Sequence, residues 1–188
     1  MISEKENQRI SKFLSLVLRH QPESIGIRLD ENGWVDPELL IFKMNKHGFN
    51  LSMEILDHVV ATNNKKRFAY NESKTQIRAS QGHSVNIELG YEPQKPPAIL
   101  YHGTAERFSE SILKTGLDKQ SRQHVHLSLD IDIAISVGKR HGKPVIFEVA
   151  SETMFADGFV FYLSENKVWL TDHVPVKYLK LGFTGIKG

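Results

Sequence analysis

"GYEPQKPP", residues Gly90 to Pro97, divides this chain. Three prolines in five residues fit neither a helix interior nor a central strand, because proline lacks an amide hydrogen and fixes φ. They favour an extended, semi-rigid connection. About 90 residues stand on either side, so the 188-residue chain reads as two lobes, 1–90 and 98–188, joined by a linker at 91–97. No internal repeat or low-complexity tract interrupts either lobe.

The first lobe opens with a helix over about Lys5 to Arg19, whose Ile10, Phe13, Leu14, Val17 and Leu18 share one face. "IGIRL" reads as a short strand, and "DENG" turns the chain before Trp34. Asp36 and then Pro37 form a helix start, a capping side chain followed by a residue pre-set for the first helical position. That helix stops at Gly48, and Ser52 caps a third. "KRFAYNESKTQIRA" reads as a hairpin turning at "NESK". Helix, strand, helix, helix, hairpin is the order of a winged helix. Fold alone does not set function.

The second lobe opens with a strand, "AILYHGT", followed by a helix over about Ala105 to Thr115. "HVHLS" alternates like a strand, and "DIDIAISVGKRHG" reads as a helix ending at Gly142. "PVIFEVA", "FVFYL", "KVWLT" and "VPVKYLKL" read as further strands. Strands outnumber helices, which predicts an α+β lobe around a curved or split sheet.

Composition narrows the class. Hydrophobic residues make up 40% and charged residues 24%, the balance of a soluble globular protein. Cysteine is absent, so disulfide scaffolds and thiolate metal sites are excluded. No apolar run is long enough for a membrane span, and "MISEKENQRI" lacks a signal peptide's apolar core. A cytoplasmic protein is expected. The net charge of +2 permits a nucleic-acid partner without demanding one.

Several clusters suit anions. The first helix ends "LRHQP", with Arg19 and His20 side by side before Pro22. Such groups either neutralise the negative end of the helix dipole or hold an anion. From Ala61 to His83 there are five Lys or Arg against one Glu, the balance of a basic wing. A solvated edge strand guarded by charge would look the same. In "RASQGHS", Gln81, Gly82, His83 and Ser84 offer donors around a glycine that lets backbone approach a phosphate. A plain polar loop is the alternative.

In "YHGT", a histidine at a strand end is followed by Gly103, which lets a ligand lie against the backbone. Thr104 is placed to cap the next helix and turn its N-terminus to an anionic group. A capped strand-to-helix turn explains the pattern equally well. In "SRQHVHLS", His124 and His126 share a strand face. A His-x-His pair is half a metal site, but no third ligand stands at useful spacing, so no metal is expected. Arg122 cannot ligate a metal and can pair with phosphate through two hydrogen bonds.

Taken in order, "KFLSLVLRHQP", "LDENGWV", "NKKRF", "IRASQGHS", "LYHGT", "RQHVHLS", "VGKRHGKPV" and "NKVWLT" resemble the NAD-dependent RNA 2'-phosphotransferase family, from about Ser11 to Leu181. The resemblance implies a winged-helix-like RNA lobe followed by an ADP-ribosyltransferase-like mixed α/β lobe that takes NAD as co-substrate. It implies a catalytic set of Arg19, His20, Arg67 and Arg122. Lys66, Gln81, Gly82, His83 and Ser84 would meet the RNA phosphate. His102, Gly103, Thr104, His126 and Ser128 would meet NAD, with Gly138 and Arg140 on the same side. The implied partner is a tRNA-like RNA bearing a 2'-phosphate, with no membrane and no obligate protein partner. In the implied reaction that phosphate attacks the nicotinamide ribose, giving a 2'-phospho-ADP-ribosylated RNA. Its breakdown frees the RNA and ADP-ribose 1'',2''-cyclic phosphate.

One departure concerns a turn. The family often carries Asn-Gly before "VWL", whereas this chain has Asn166-Lys167, which points to a different hairpin turn. Two other readings compete. A protein ADP-ribosyltransferase would want an activating glutamate, and Glu165 is the nearby candidate. A non-enzymatic winged-helix binder would leave the second lobe's His102, Arg122 and His126 unused.

Overall fold

The structure is a computed structural model and describes residues 2–184. It comprises two compact units, Met1–Gly90 and Tyr91–Gly188. Both mix helices with small antiparallel sheets, so the chain is α+β.

In the first unit, α1 spans Glu4–Arg19, α2 Pro37–Lys46 and α3 Met53–Ala61. Each starts where a side-chain oxygen satisfies an orphan amide: Ser3 for Glu6, Asp36 for Leu39 and Ser52 for Ile55. Ile10, Leu14, Val17 and Leu18 of α1 pack with Leu40, Met44, Leu56 and Val59 of the other two helices. Burying each such side chain contributes roughly 1.5–3 kcal/mol. The hairpin strands β1 (Phe68–Tyr70) and β2 (Ile77–Ala79) close this core with Phe68 and Ile77.

"IGIRL" is not a strand. Pro22 starts a 3₁₀ turn, Pro22–Ile25, and Gly26 ends it in the left-handed region at φ 67°. Asp30 Oδ1 then collects the amides of Asn32 and Trp34 at 2.9 and 2.8 Å, which curls the chain before it can pair. The third strand contact comes instead from Val35, which exchanges both backbone hydrogen bonds with Ile77.

In the second unit, β3 (Leu100–Ala105) and β10 (Leu179–Thr184) flank β6 (Pro144–Val149). A second sheet places β8 (Trp169–Thr171) between β5 (Val125–Leu127) and β7 (Tyr162–Leu163). The two sheets touch edge to edge at one point, where Tyr101 and Ser128 exchange backbone bonds of 2.8 Å. Here β3 meets the end of β5, so the sheet is split as the strand count suggested. Strands β4 (Leu117–Asp118) and β9 (His173–Val174) form a separate pair. Helix α5 (Ile131–Gly138) packs on β3 and β6, and α4 (Ser109–Thr115) and α6 (Ser151–Ala156) lie at strand ends.

Three second-lobe expectations need correction. The helix read from Ala105 is a 3₁₀ turn, Glu106–Phe108, followed by α4, and Thr104 lies inside β3 rather than at a cap. "VPVKYLKL" is no continuous strand, because Pro175 opens a 3₁₀ turn, Val176–Tyr178, before β10. In "FVFYL" only Tyr162 and Leu163 are strand. Phe161 instead accepts the Gln94 amide at 2.8 Å, and Pro93 bridges Tyr162. The proline-rich segment is thereby docked on the second unit. The hydroxyl of Ser151 adds a 2.7 Å bond to the Pro97 carbonyl.

Candidate active site

In the first unit the site grows from the end of α1. Arg19 is its last residue and His20 its C-cap, whose amide bonds to the Leu16 carbonyl. The segment Ser80–Val85 then fastens this end to the hairpin. The amides of Ser84 and Val85 both donate to the Arg19 carbonyl, at 2.9 and 3.3 Å. Ser84 Oγ stands 2.9 Å from His20 Nδ1. At the segment's other end, Ser80 donates its amide to the Arg67 carbonyl and its hydroxyl to the Lys66 carbonyl. Arg19 and Arg67 line the same groove. Arg19, His20, Lys66, Arg67 and Ser84 are therefore brought together by one short segment, with Gly82 supplying its φ of 86°.

Two residues of this region are buried, against expectation. His83 is only 1% exposed, so its ring sits beneath the loop and not on its surface. Among the described residues neither ring nitrogen has a hydrogen-bond partner. Burial first, then the charges of Arg19, His20 and Arg78, push its pKa down to about 3. Arg78, read from sequence as part of a basic wing, is also buried. It donates to the Leu89 carbonyl at 3.1 Å and stacks 4.3 Å over Trp34. Trp34 is half-buried beneath that guanidinium, and Trp169 is buried in the second unit.

In the second unit the candidates gather where β3 and β5 meet. His102 Nδ1 donates to the His126 carbonyl at 3.1 Å. Burial is the main force holding its pKa below the ordinary value of 6.5. The ring is thus neutral, with Nε2 left as an acceptor. Arg122 donates to His126 Nδ1 at 2.5 Å. Desolvation, and then the nearby charge of Arg140, make Arg122 harder to protonate. Two arginines close enough to repel form a place that an anion would relieve. Ser128 holds the bridge to Tyr101.

The glycines act differently from the reading of them. A Cβ on Gly103 would stand 1.7 Å from the Ala134 carbonyl oxygen, and one on Gly138 would stand 2.8 Å from that of Thr104. The close approach is the protein's own: α5 lies directly on β3. Thr104 is buried within the same contact. His124 packs edge-on against Tyr162, 5.7 Å between ring centres. Among the described residues no group of three or more His, Cys, Asp or Glu is placed to hold a metal ion. None of their helices is long and apolar enough to cross a membrane. Lys167 takes a left-handed φ of 63° in the β7–β8 turn, where glycine would be at ease.

Sequence reasoning missed Ser80 and Asn63. Asn63 donates to Ser11 Oγ at 2.9 Å and accepts the Arg67 amide at 3.2 Å, so it joins α1 to the residue before β1. Their only advance signal was position, immediately beside the basic and Gln-Gly-His-Ser stretches.

An α+β chain with one cationic cluster at a helix end and another at a split sheet has the make-up of a protein that handles phosphorylated ligands. Comparison makes the class specific. The profile of the RNA 2'-phosphotransferase, Tpt1 / KptA family matches residues 5–173, and the chain belongs to that family. It is 59% identical to a protein of Flavobacterium johnsoniae named "Probable RNA 2'-phosphotransferase", over 95% of this chain and 98% of the relative. Proteins of the same name from Fusobacterium nucleatum and Hahella chejuensis are 53% and 51% identical. These alignments cover 92% and 98% of this chain, and 97% and 100% of the relatives.

Proposed function

We propose that this protein removes an internal 2'-phosphate from RNA by transferring it to the ADP-ribose part of NAD. Membership of the family and the name shared by its relatives support the phosphate transfer from RNA. The observation that carries the reading is the clamp on Arg19, His20 and Arg67 by Ser80–Val85, because a dianionic phosphate needs several fixed cations converging on it.

The donor set of the second unit fits NAD. His102 offers a neutral acceptor suited to a ribose hydroxyl, Ser128 a hydroxyl, and Arg122 and Arg140 charges suited to a diphosphate. When bound, NAD supplies an electrophilic anomeric carbon, a nicotinamide leaving group and a neighbouring ribose hydroxyl. Gly103, Thr104 and Gly138 frame this set by packing, and His126 orients both His102 and Arg122.

The RNA 2'-phosphate is already an anionic nucleophile, so the chain's first task is alignment. Arg19 and Arg67 hold it, with Lys66, Gln81, Gly82 and Ser84 around them and His83 packed beneath. The product of this step is a 2'-phospho-ADP-ribosylated RNA. In the second step the developing charge sits on phosphorus oxygens, which guanidinium donors are suited to stabilise, and Arg122 is assigned to this step. His20, whose Nδ1 meets Ser84 Oγ, donates to the phosphate or moves a proton between incoming and departing hydroxyls. The products are RNA with a free 2'-hydroxyl, nicotinamide and ADP-ribose 1'',2''-cyclic phosphate.

In this reading residues 1–90 form a winged-helix-like RNA lobe, 91–97 the connection and 98–188 an ADP-ribosyltransferase-like NAD lobe of a cytoplasmic enzyme. The test is to incubate the protein with NAD and a short RNA carrying an internal 2'-phosphate, and to weigh both products by mass spectrometry. Loss of the 2'-phosphate together with ADP-ribose cyclic phosphate is expected, and Arg19→Ala should abolish it. NAD consumption with unchanged RNA and ADP-ribosylated protein would overturn the reading. So would a protein that neither binds NAD nor changes the RNA.

A further inference from the structure

Helix α1 does more than present Arg19. Gln8, Lys12, Ser15 and Arg19 follow at helical spacing along its polar side and form one wall of a groove of about 510 Å³. The facing wall comes from the end of α3 and the turn after it, with Thr62, Asn63, Lys65 and Arg67. The walls are fastened together. Asn7 donates to Thr62 Oγ1 at 3.1 Å, and Asn63 ties Ser11 to the Arg67 amide. The groove is therefore set by the fold before any ligand arrives.

Its chemistry is one-sided. Among the described residues its lining holds four cationic side chains, Lys12, Arg19, Lys65 and Arg67, and no carboxylate. The rest is amide and hydroxyl, apart from Val59. Among the described residues no aromatic ring lines it, so they offer no platform on which a base would stack. Such a surface suits phosphate oxygens and sugar hydroxyls, and it reads no sequence.

One end of the groove is formed by the two arginines to which the 2'-phosphate is assigned. The other reaches Gln8, eleven residues back, about 16 Å along the helix at about 1.5 Å per residue. That length accommodates about five nucleotides at a stacked rise of about 3.4 Å, and fewer if the strand is extended.

We infer that this groove seats the RNA strand flanking the 2'-phosphate on one side, gripping its sugar–phosphate backbone and leaving its bases unread. The inference rests on the proposed function, since that reading places the 2'-phosphate at Arg19 and Arg67.

The experiment is a direct titration of the full chain with fluorescent single-stranded RNAs. Each carries one 2'-phosphate and is lengthened stepwise, on the 5' side in one series and on the 3' side in the other. Affinity should rise with length on one side only and level off by about five nucleotides. Changing the bases of that extension should leave it unaltered. Lys12→Gln combined with Lys65→Gln should weaken long RNAs about tenfold, with the loss growing with length. Each lysine removed should also lower the slope of log K against log salt by about 0.7.

Affinity independent of length on both sides would overturn the inference. So would unchanged affinity in a double variant that melts like the wild type, or equal competition by polyglutamate of matched charge. Turnover of a 2'-phosphorylated dinucleotide with NAD is followed in parallel. If it fails, the proposed function falls, and the length series still decides whether the groove holds RNA.

Discussion

Ser84 Oγ stands 2.9 Å from Nδ1 of His20, a residue 64 positions earlier in the chain. The same serine donates its amide to the Arg19 carbonyl, so backbone and side chain together set how α1 ends. The backbone bond does not depend on the side chain, and this separates the two roles experimentally. Ser84→Ala should leave stability nearly unchanged while removing the serine's hold on the His20 ring. The loss of one hydrogen bond worth about 1 kcal/mol corresponds to about fivefold in rate. The fall should appear in single-turnover rate more than in KM for RNA, and Ser84→Thr should restore it. A KM-only effect would mean that Ser84 contacts RNA without orienting His20.

His83 makes acid stability informative. Its ring is buried beside Arg19, His20 and Arg78, and its pKa lies near 3 instead of 6.5. Below the ordinary value the unfolded chain takes up a proton that the folded chain refuses. Stability is therefore intact above about pH 6.5 and falls as pH drops toward 3, by up to about 1.4 kcal/mol per pH unit. His83→Leu removes the titrating group and should lose stability less steeply between about pH 6 and pH 4. Urea unfolding across that range measures the difference, and parallel curves would show that His83 is charged in the folded state.

Gly103 carries the contact between β3 and α5. A methyl group there would meet the Ala134 carbonyl oxygen at 1.7 Å, and that atom belongs to a helix backbone that cannot swing aside. Gly103→Ala should destabilise the protein by about 3 kcal/mol or more. The change is read as a lower midpoint in thermal or urea unfolding. A wild-type midpoint would show that α5 can lift from the strand at little cost.

His102 tests the proposed NAD site. Its Nδ1 proton is committed to the His126 carbonyl, so only the neutral ring offers Nε2 as an acceptor. Because burial holds its pKa below the usual histidine range, the acid-side fall in NAD affinity should begin at a lower pH than an ordinary histidine would set. His102→Ala should weaken NAD about tenfold and make that low-pH fall disappear. Calorimetric titration at several pH values checks both. Affinity that drops already between about pH 7 and pH 6 would place a normal histidine at the contact.

Asn63 joins three parts of the first unit through one amide. Asn63→Ala removes its bonds to Ser11 and to the Arg67 amide, and should cost about 1–2 kcal/mol in urea unfolding. A loss of activity larger than the loss of stability would show that it also aims Arg67.

Much of this was legible along the chain because it is local. Caps at Asp36 and Ser52, the apolar face of α1 and the hairpin around "NESK" depend on residues within a turn of one another. Other elements depended on what happens elsewhere. "IGIRL" has strand composition but no partner edge, because Asp30 curls the chain first. "VPVKYLKL" contains a proline that breaks it, and only its last part reaches β6.

The sequence by itself determined the residue types of the candidate sites: the Arg-His pair after an amphipathic helix, the basic run before a hairpin, and the His-Gly-Thr and Arg-Gln-His-Val-His stretches of the second half. The tertiary structure decided their roles. It buried His83 and Arg78, turned Gly103 and Gly138 into packing points, and gave Ser80, Ser84 and Asn63 the task of holding cations together. Residue identity sets which bonds a group can make, but burial and long-range hydrogen bonds exist only once segments distant in sequence have packed.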